Sequence, residues 1–284
     1  MKILLTGATG YIGKRILPIL AAKGHDVICC VRDKNRFYIP EEFQEKVQVI
    51  EVDFLDKETL VNIPTAIDAA FYLIHSMSGS DTNYDELESI SATNFSERIN
   101  QTQAQQILYL SGIVNDKSLS KHLSSRKNVE SILAKSKVPL TTLRAGIIVG
   151  SGSASFEIIR DLVNKLPVMI TPKWLNTKCQ PIAINDVLEF LSKSLLNPLT
   201  YNQSFDIGGP DILTYKEMLL AFAEAKNLKR YIFTIPVMTP KLSSYWLYFV
   251  TSTSYKLATA LVSSMKVEVI CSDHRINELL GVKP

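Results

Sequence analysis

The chain has 284 residues, enough for one large domain or a core with a smaller lobe, and 46% of them are hydrophobic, ample for a continuous core. Lys and Arg number 31 against 28 Asp and Glu, and the resulting net charge of +3 is spread along the chain, which argues against a nucleic-acid partner. Four cysteines, two of them adjacent (Cys29 and Cys30) in an apolar run, argue against a disulfide framework and point to a reducing cytoplasm, and no Cys/His spacing suits a metal.

Ile3–Thr6 reads as a short buried strand and Tyr11–Lys23 as a helix ended by Gly24. Because the first strand leads straight into the next turn, no secretory leader is expected. Between strand and helix stand Gly7, Gly10 and Gly13. A glycine triplet alone is a weak signal, but in a strand–turn–helix context it has a mechanism. Gly7 permits the tight turn, Gly10 lets backbone approach a pyrophosphate, and Gly13 lets the helix pack closely on the strand. The helix N-terminus then offers unpaired N–H groups and a positive dipole end to phosphates. The stretch Thr6, Gly7, Gly10, Tyr11, Ile12, Gly13 is therefore the candidate dinucleotide-binding turn.

Asp26–Val31 is the second strand, and it ends in Arg32-Asp33-Lys34 with Arg36 close behind. An acid here commonly binds a ribose 2′-hydroxyl, whereas an Arg accommodates a 2′-phosphate. Arg32 follows the strand directly and the surrounding charge is positive, so NADP(H) is favoured and NAD(H) stays open. Further strands are expected at Val47–Val52, Ala69–Ile74, Gln106–Ser111 and Leu140–Ala145. Helices are expected near Lys57–Asn62, Tyr84–Ile99 and Ser120–Ser136. Apolar strands alternating with helices predict an α/β fold, a doubly wound parallel sheet covered on both faces.

After Gly150 the rhythm changes. A Gly/Ser cluster at 150–155 precedes a helix over Phe156–Lys165, a strand at Cys179–Ile184 and a helix at Asn185–Leu196. Ser204–Ile207 is a short strand, and Thr214 caps a helix over Tyr215–Lys226. Residues 1–150 form the expected dinucleotide-binding core and 151–284 a smaller lobe, with segments at about 179–197 and 204–208 returning to the core. Residues 241–265 carry Trp246, Leu247, Tyr248, Phe249 and Val250. Packed amphipathic helices are the plainest reading of this stretch, and a membrane-surface helix or a contact with a partner or a second copy are the others. No apolar run reaches the roughly 18 residues of a membrane span.

Several motifs together resemble the atypical short-chain dehydrogenase/reductase superfamily, whose core is a Rossmann-type sheet. They are Thr6–Gly13, Val52-Asp-Phe54, Tyr109-Leu-Ser-Gly112, Leu143-Arg-Ala-Gly146, Pro181–Asp186 and Phe205–Pro210 with Thr214. Tyr72–Met77 and Pro236–Ser244 resemble more narrowly an uncharacterised bacterial branch near the NmrA-like and isoflavone-reductase-like groups. The resemblance implies that Asp53 and Phe54 sit beside an adenine and that the His75–Met77 turn lies near the nicotinamide. It also implies that Ser111, at the end of strand five, polarises a substrate oxygen.

The sequence departs from the family at the catalytic Tyr and the Lys four residues after it. The corresponding helix reads Lys121-His-Leu-Ser-Ser-Arg-Lys127. His122 and Arg126 keep the four-residue spacing and so share one helix face. An imidazole can move a proton near neutrality, whereas Arg126 can only hold an oxygen. Lys127 fills the Lys position only by a register slip, and no spacing supports Tyr84 or Tyr109 as the acid. The leading expectation is an NADP(H)-dependent oxidoreductase acting on a small carbonyl, enone or sugar-like compound. The alternative is a non-catalytic NAD(P)-binding regulator or scaffold.

Overall fold

The computed structural model describes residues 1–75, 84–113, 121–235 and 265–284, with only the backbone of 84 and 121–123. Most of the 241–265 stretch, the Pro236–Ser244 motif and the Ser76–Met77 end of the Tyr72 motif therefore lie outside the described residues.

Strand β1 (Lys2–Leu5) leads into helix α1 (Gly13–Ala22), and β2 (Asp26–Val31) and β3 (Val47–Glu51) follow. Next come β4 (Ala69–Tyr72), α2 (Tyr84–Ile99), β5 (Gln106–Gly112), α3 (Lys121–Leu133) and β6 (Leu140–Ala145). The short helix expected at Lys57–Asn62 is a 3-10 helix, capped by the Asp56 side chain.

The second half contains β7 (Ile148–Val149), α4 (Ala154–Lys165), β8 (Val168–Pro172), β9 (Lys178–Cys179) and β10 (Ile182–Ala183). It continues with α5 (Ile184–Ser194), β11 (Gln203–Ile207), β12 (Leu213–Thr214), α6 (Tyr215–Ala225), β13 (Tyr231–Ile235) and α7 (Arg275–Leu280). Thr214 caps α6 with a full capping box, its hydroxyl accepting from the Glu217 N–H while the Glu217 carboxylate accepts from the Thr214 N–H.

Seven strands form one sheet in the order β11-β6-β5-β4-β1-β2-β3, and every pair in it is parallel. This is the doubly wound Rossmann-type arrangement, with its reversal of strand order between β1 and β4. The period of two along each strand divides the core. Ile3, Leu5, Cys29, Val31, Phe71 and Leu108 face α1 and α5, while Leu4, Ile28, Cys30, Tyr72 and Tyr109 face α2 and α3. A third cluster, built on Ile158, Leu162, Met169, Met218, Leu219 and Ile232, is the core of the smaller lobe.

The predicted strand at Cys179–Ile184 is instead two short pieces. Strand β9 pairs with β12, and β10 pairs with β7, while Pro181 stands between them. The short strand near residue 204 joins the main sheet as its edge. Residues close to the C-terminus also come back to the core: Ile276 and Val282 are buried with the α1 and α5 cluster. Among the described residues no helix is long and apolar enough to cross a membrane.

Candidate functional site

The carboxyl ends of β1, β2, β3, β4 and β5 surround a cavity of about 650 Å³, within the range of small-molecule sites. Its floor is the glycine turn: Gly7, Thr9, Gly10, Tyr11, Ile12 and Gly13 all line it. Gly7 has φ +66°, and a β-carbon there would lie 2.3 Å from the Leu73 carbonyl oxygen. A β-carbon at Gly13 would lie 2.2 Å from the Gly7 carbonyl oxygen. The backbone is thus as close as it can be, and only glycine keeps the cradle open.

Helix α1 starts with no side-chain cap and no acid in its first turn. The N–H groups of Tyr11, Ile12 and Gly13 have no backbone partner among the described residues. Unpaired donors at the start of a ten-residue helix, facing a cavity, fit a diphosphate.

Thr6 does not line this cavity. It is fully buried, donating its hydroxyl proton to the Phe71 carbonyl at 2.9 Å and accepting from the Leu73 N–H at 3.1 Å. Thr6 therefore joins the ends of β1 and β4 and sets the turn from behind. Contact with a ligand in the cavity is left to its neighbours.

Arg32 is exposed and lines the cavity beside Cys30 and Val31. Asp33 faces elsewhere: its carboxylate accepts from the Asn35 N–H at 3.0 Å and lies 3.4 Å from the Arg36 guanidinium. The wall opposite consists of Val52, Asp53, Phe54 and Leu55. The Asp53 carboxylate accepts from the Leu55 N–H at 3.0 Å. The Phe54 ring is buried against Phe95, with centroids 5.7 Å apart, and the Phe54 carbonyl accepts from Asn94 at 2.7 Å. Leu87 and Ser91, one turn apart on α2, complete that wall, and neither stood out in the sequence.

Leu73, Ile74, His75 and Leu110 close the far end. Burial, and then the positive charge of Arg126, hold the His75 imidazole well below its ordinary value, while its hydrogen bond to the Leu110 main chain opposes them. Arg126 thus reaches from α3 toward the ends of β4 and β5. The side chain of His122, its predicted companion on the helix face, lies outside the described residues, as does that of Tyr84.

Ser111 is buried and absent from the cavity lining. Its side chain is hydrogen-bonded to the Tyr109 hydroxyl, which also lies 3.4 Å from the Arg126 carbonyl. Burial pushes the Tyr109 phenol up to about 12, so it stays protonated as a donor. Behind it, Ser125 donates to Glu88 at 2.5 Å and ties α3 to α2.

The smaller lobe is fastened to the glycine turn. Arg15 stacks on the Tyr11 ring at 4.0 Å and donates to the Ser151 carbonyl at 2.6 Å. A β-carbon at Gly150 would lie 2.6 Å from the Tyr11 hydroxyl, which is itself buried without a hydrogen-bond partner among the described residues.

Comparison with known protein families matches residues 7–162 to a family described as NAD(P)H-binding. The chain belongs to that family. Its sequence motifs resemble the atypical short-chain dehydrogenase/reductase group, in keeping with that family. This NAD(P)H-binding protein is 23% identical over 248 residues to the photosystem II assembly factor Ycf39 of Trieres chinensis, covering 86% of this chain and 75% of that one. It is 22% identical over 238 residues to an isoflavone reductase homolog of Lupinus albus, covering 78% and 75% of the two chains. The triphenylmethane reductase of Citrobacter sp., solved in complex with NADP(H), superposes with a TM-score of 0.77 at 15% identity, covering 100% of this chain and 96% of that one. At that identity the likeness establishes the fold.

Proposed function

We propose that the protein is an NADP(H)-dependent oxidoreductase acting on a small carbonyl, enone or sugar-like compound. The observation that carries the reading is a single cavity running from the uncapped start of α1, past Arg32 and Asp53, to His75 and Leu110. The N–H groups of Tyr11, Ile12 and Gly13 would hold the diphosphate, and Asp53 and Phe54 would flank the adenine. Arg32 would pair with a 2′-phosphate, a preference supported by the engagement of Asp33 with Asn35 and Arg36. The His75 end would hold the nicotinamide, which in its reduced form would supply a hydride when bound. Arg126 would anchor a cofactor oxygen, Ser111 would orient the substrate oxygen, and His122 would deliver the proton. The reductases among the relatives support the same class. Four free cysteines, three of them buried, suit a reducing compartment, and we assign the protein to the cytoplasm.

Titration calorimetry with NADPH and NADH, followed by NADPH oxidation across quinones, enones and ketones, tests this. Turnover of at least one compound with tighter NADPH than NADH binding is the expected result. Tight cofactor binding with no turnover anywhere would favour a second reading, a non-catalytic NAD(P)-binding regulator or scaffold. Two observations support that reading: the buried Ser111 already engaged by Tyr109, and a relative described as an assembly factor.

A further inference from the structure

The two-stranded sheet β8–β13 departs from the pattern of a surface ribbon. Its inner face sends Met169 and Ile232 into the lobe core. The outer face of such a ribbon is ordinarily polar. Here the register sets Tyr231 beside Val168, Phe233 beside Ile170 and Ile235 beside Pro172. Ile170 is 55% exposed, and Tyr231 and Phe233 are each 59% exposed. Neither strand contains a charged residue. The other large exposed hydrophobics of the described residues are scattered along the chain, as on any protein surface, whereas five of them share this face.

We propose that this face is where two copies of the chain associate, ribbon against ribbon about a two-fold axis. A two-fold contact sets each patch against its own copy, so a charged patch would repel itself and an uncharged apolar one does not. At the observed exposures the five side chains offer on the order of 500 Å². Two copies would then remove about 1,000 Å² from water, the lower bound for a specific interface.

The contact runs through the face of the ribbon. Pro167 and Pro172 bracket β8 and leave its free edge too short for strand addition. A lipid surface is a poorer match. Arg230, which leads into β13, donates to the Val163 carbonyl at 2.5 Å, and Lys165, which precedes β8, pairs with Asp161 at 3.1 Å. Among the described residues Lys173 and Lys229 remain at the strand ends, short of the roughly four basic residues that hold an anionic membrane.

Sedimentation velocity of the full chain between about 1 and 100 µM tests the proposal, since an interface of this size gives micromolar association. The sedimentation coefficient should rise from the monomer to the dimer value. Phe233→Lys and Ile170→Glu should each weaken association at least ~10-fold with an unchanged circular dichroism spectrum. Tyr38→Lys, which alters an isolated exposed aromatic, should leave association as it was. Mixing Phe233→Lys with Phe233→Glu chains should restore a dimer, because Phe233 and Ile170 stand at the middle of the ribbon, where a two-fold axis through the centre of the patch passes close to both copies. A monomer throughout the range overturns the proposal, and so does a dimer indifferent to both ribbon substitutions. Binding to phosphatidylglycerol-containing vesicles that Phe233→Lys abolishes, without self-association, overturns it in favour of lipid.

Discussion

The two ends of the cavity are built on different principles. At the glycine turn, nearly every group facing the cavity is main chain: three N–H groups at the start of α1 and a cradle that side chains would fill. At the β5 and α3 end the potential chemistry rests on side chains, Ser111, Tyr109, Arg126 and His75, each already engaged with another. A site made of backbone tolerates sequence drift as long as its glycines stay. A site made of side chains can change its chemistry through one or two substitutions. The Tyr, and the Lys four residues after it, that the resemblance leads one to expect are missing from the sequence of α3, while the glycines of the first end are present.

The largest effect expected comes from closing the cradle. Gly13→Val would drive a β-carbon into the Gly7 carbonyl and push α1 off the turn. The NADPH dissociation constant should rise at least ~100-fold, close to 3 kcal/mol, in calorimetry. Far-UV circular dichroism should show the sheet retained. Normal NADPH binding by this variant would remove the turn from the site. Next in size is Arg32→Ala, which should weaken NADPH ~10- to 100-fold and NADH less than ~2-fold, as expected for charge-assisted bonds to a phosphate. Equal losses for the two nucleotides would show that Arg32 does not read the 2′ position.

The same contrast explains what could be read in advance. The bounds expected for β2, α2 and β6 match the structure, and for the two strands the reason is an apolar run that carries its own signal in the chain. The glycine turn and Arg32 were legible because each follows directly on a strand and parallel strands bring their ends together, whereas Asp53, Phe54 and His75, which line the same cavity, entered through the family resemblance. Leu87 and Ser91 were not, since an ordinary Leu and Ser on a helix carry no chemical signal. Strands β8 and β13 were missed for a related reason. Met169 and Ile170 follow one another as an apolar pair, and Tyr231–Phe233 is continuously apolar, so neither shows the polar alternation of a surface strand. The return of Val269, which bridges to Cys179 from 90 positions away, is a tertiary event with no local signature.

Thr6 shows how a residue can serve the first end without touching a ligand. Thr6→Val preserves its shape and removes the hydroxyl that receives the Leu73 N–H and donates to the Phe71 carbonyl. A buried N–H left without a partner costs about 1–3 kcal/mol, which in a chain of this size lowers the melting temperature by several degrees. Calorimetric melting should register that loss, whereas the NADPH dissociation constant should change less than ~3-fold. A larger change in binding than in stability would return Thr6 to the cavity wall.

The smallest effect belongs to His75, at the far end of the cavity. In the unfolded chain its imidazole takes up a proton near pH 6.5, while in the folded protein burial and the Arg126 charge delay protonation to well below that. Between those two values the unfolded state binds more protons than the native one. Stability attributable to His75 is therefore constant above about pH 6.5 and falls as the pH drops below it. His75→Gln should flatten this acid-side slope in urea unfolding measured at about pH 7.5, 6.5 and 5.5. Arg126→Gln should make the slope shallower by removing one cause of the depression and leaving burial in place. An unchanged slope in both variants would mean that the imidazole and the guanidinium do not share one environment.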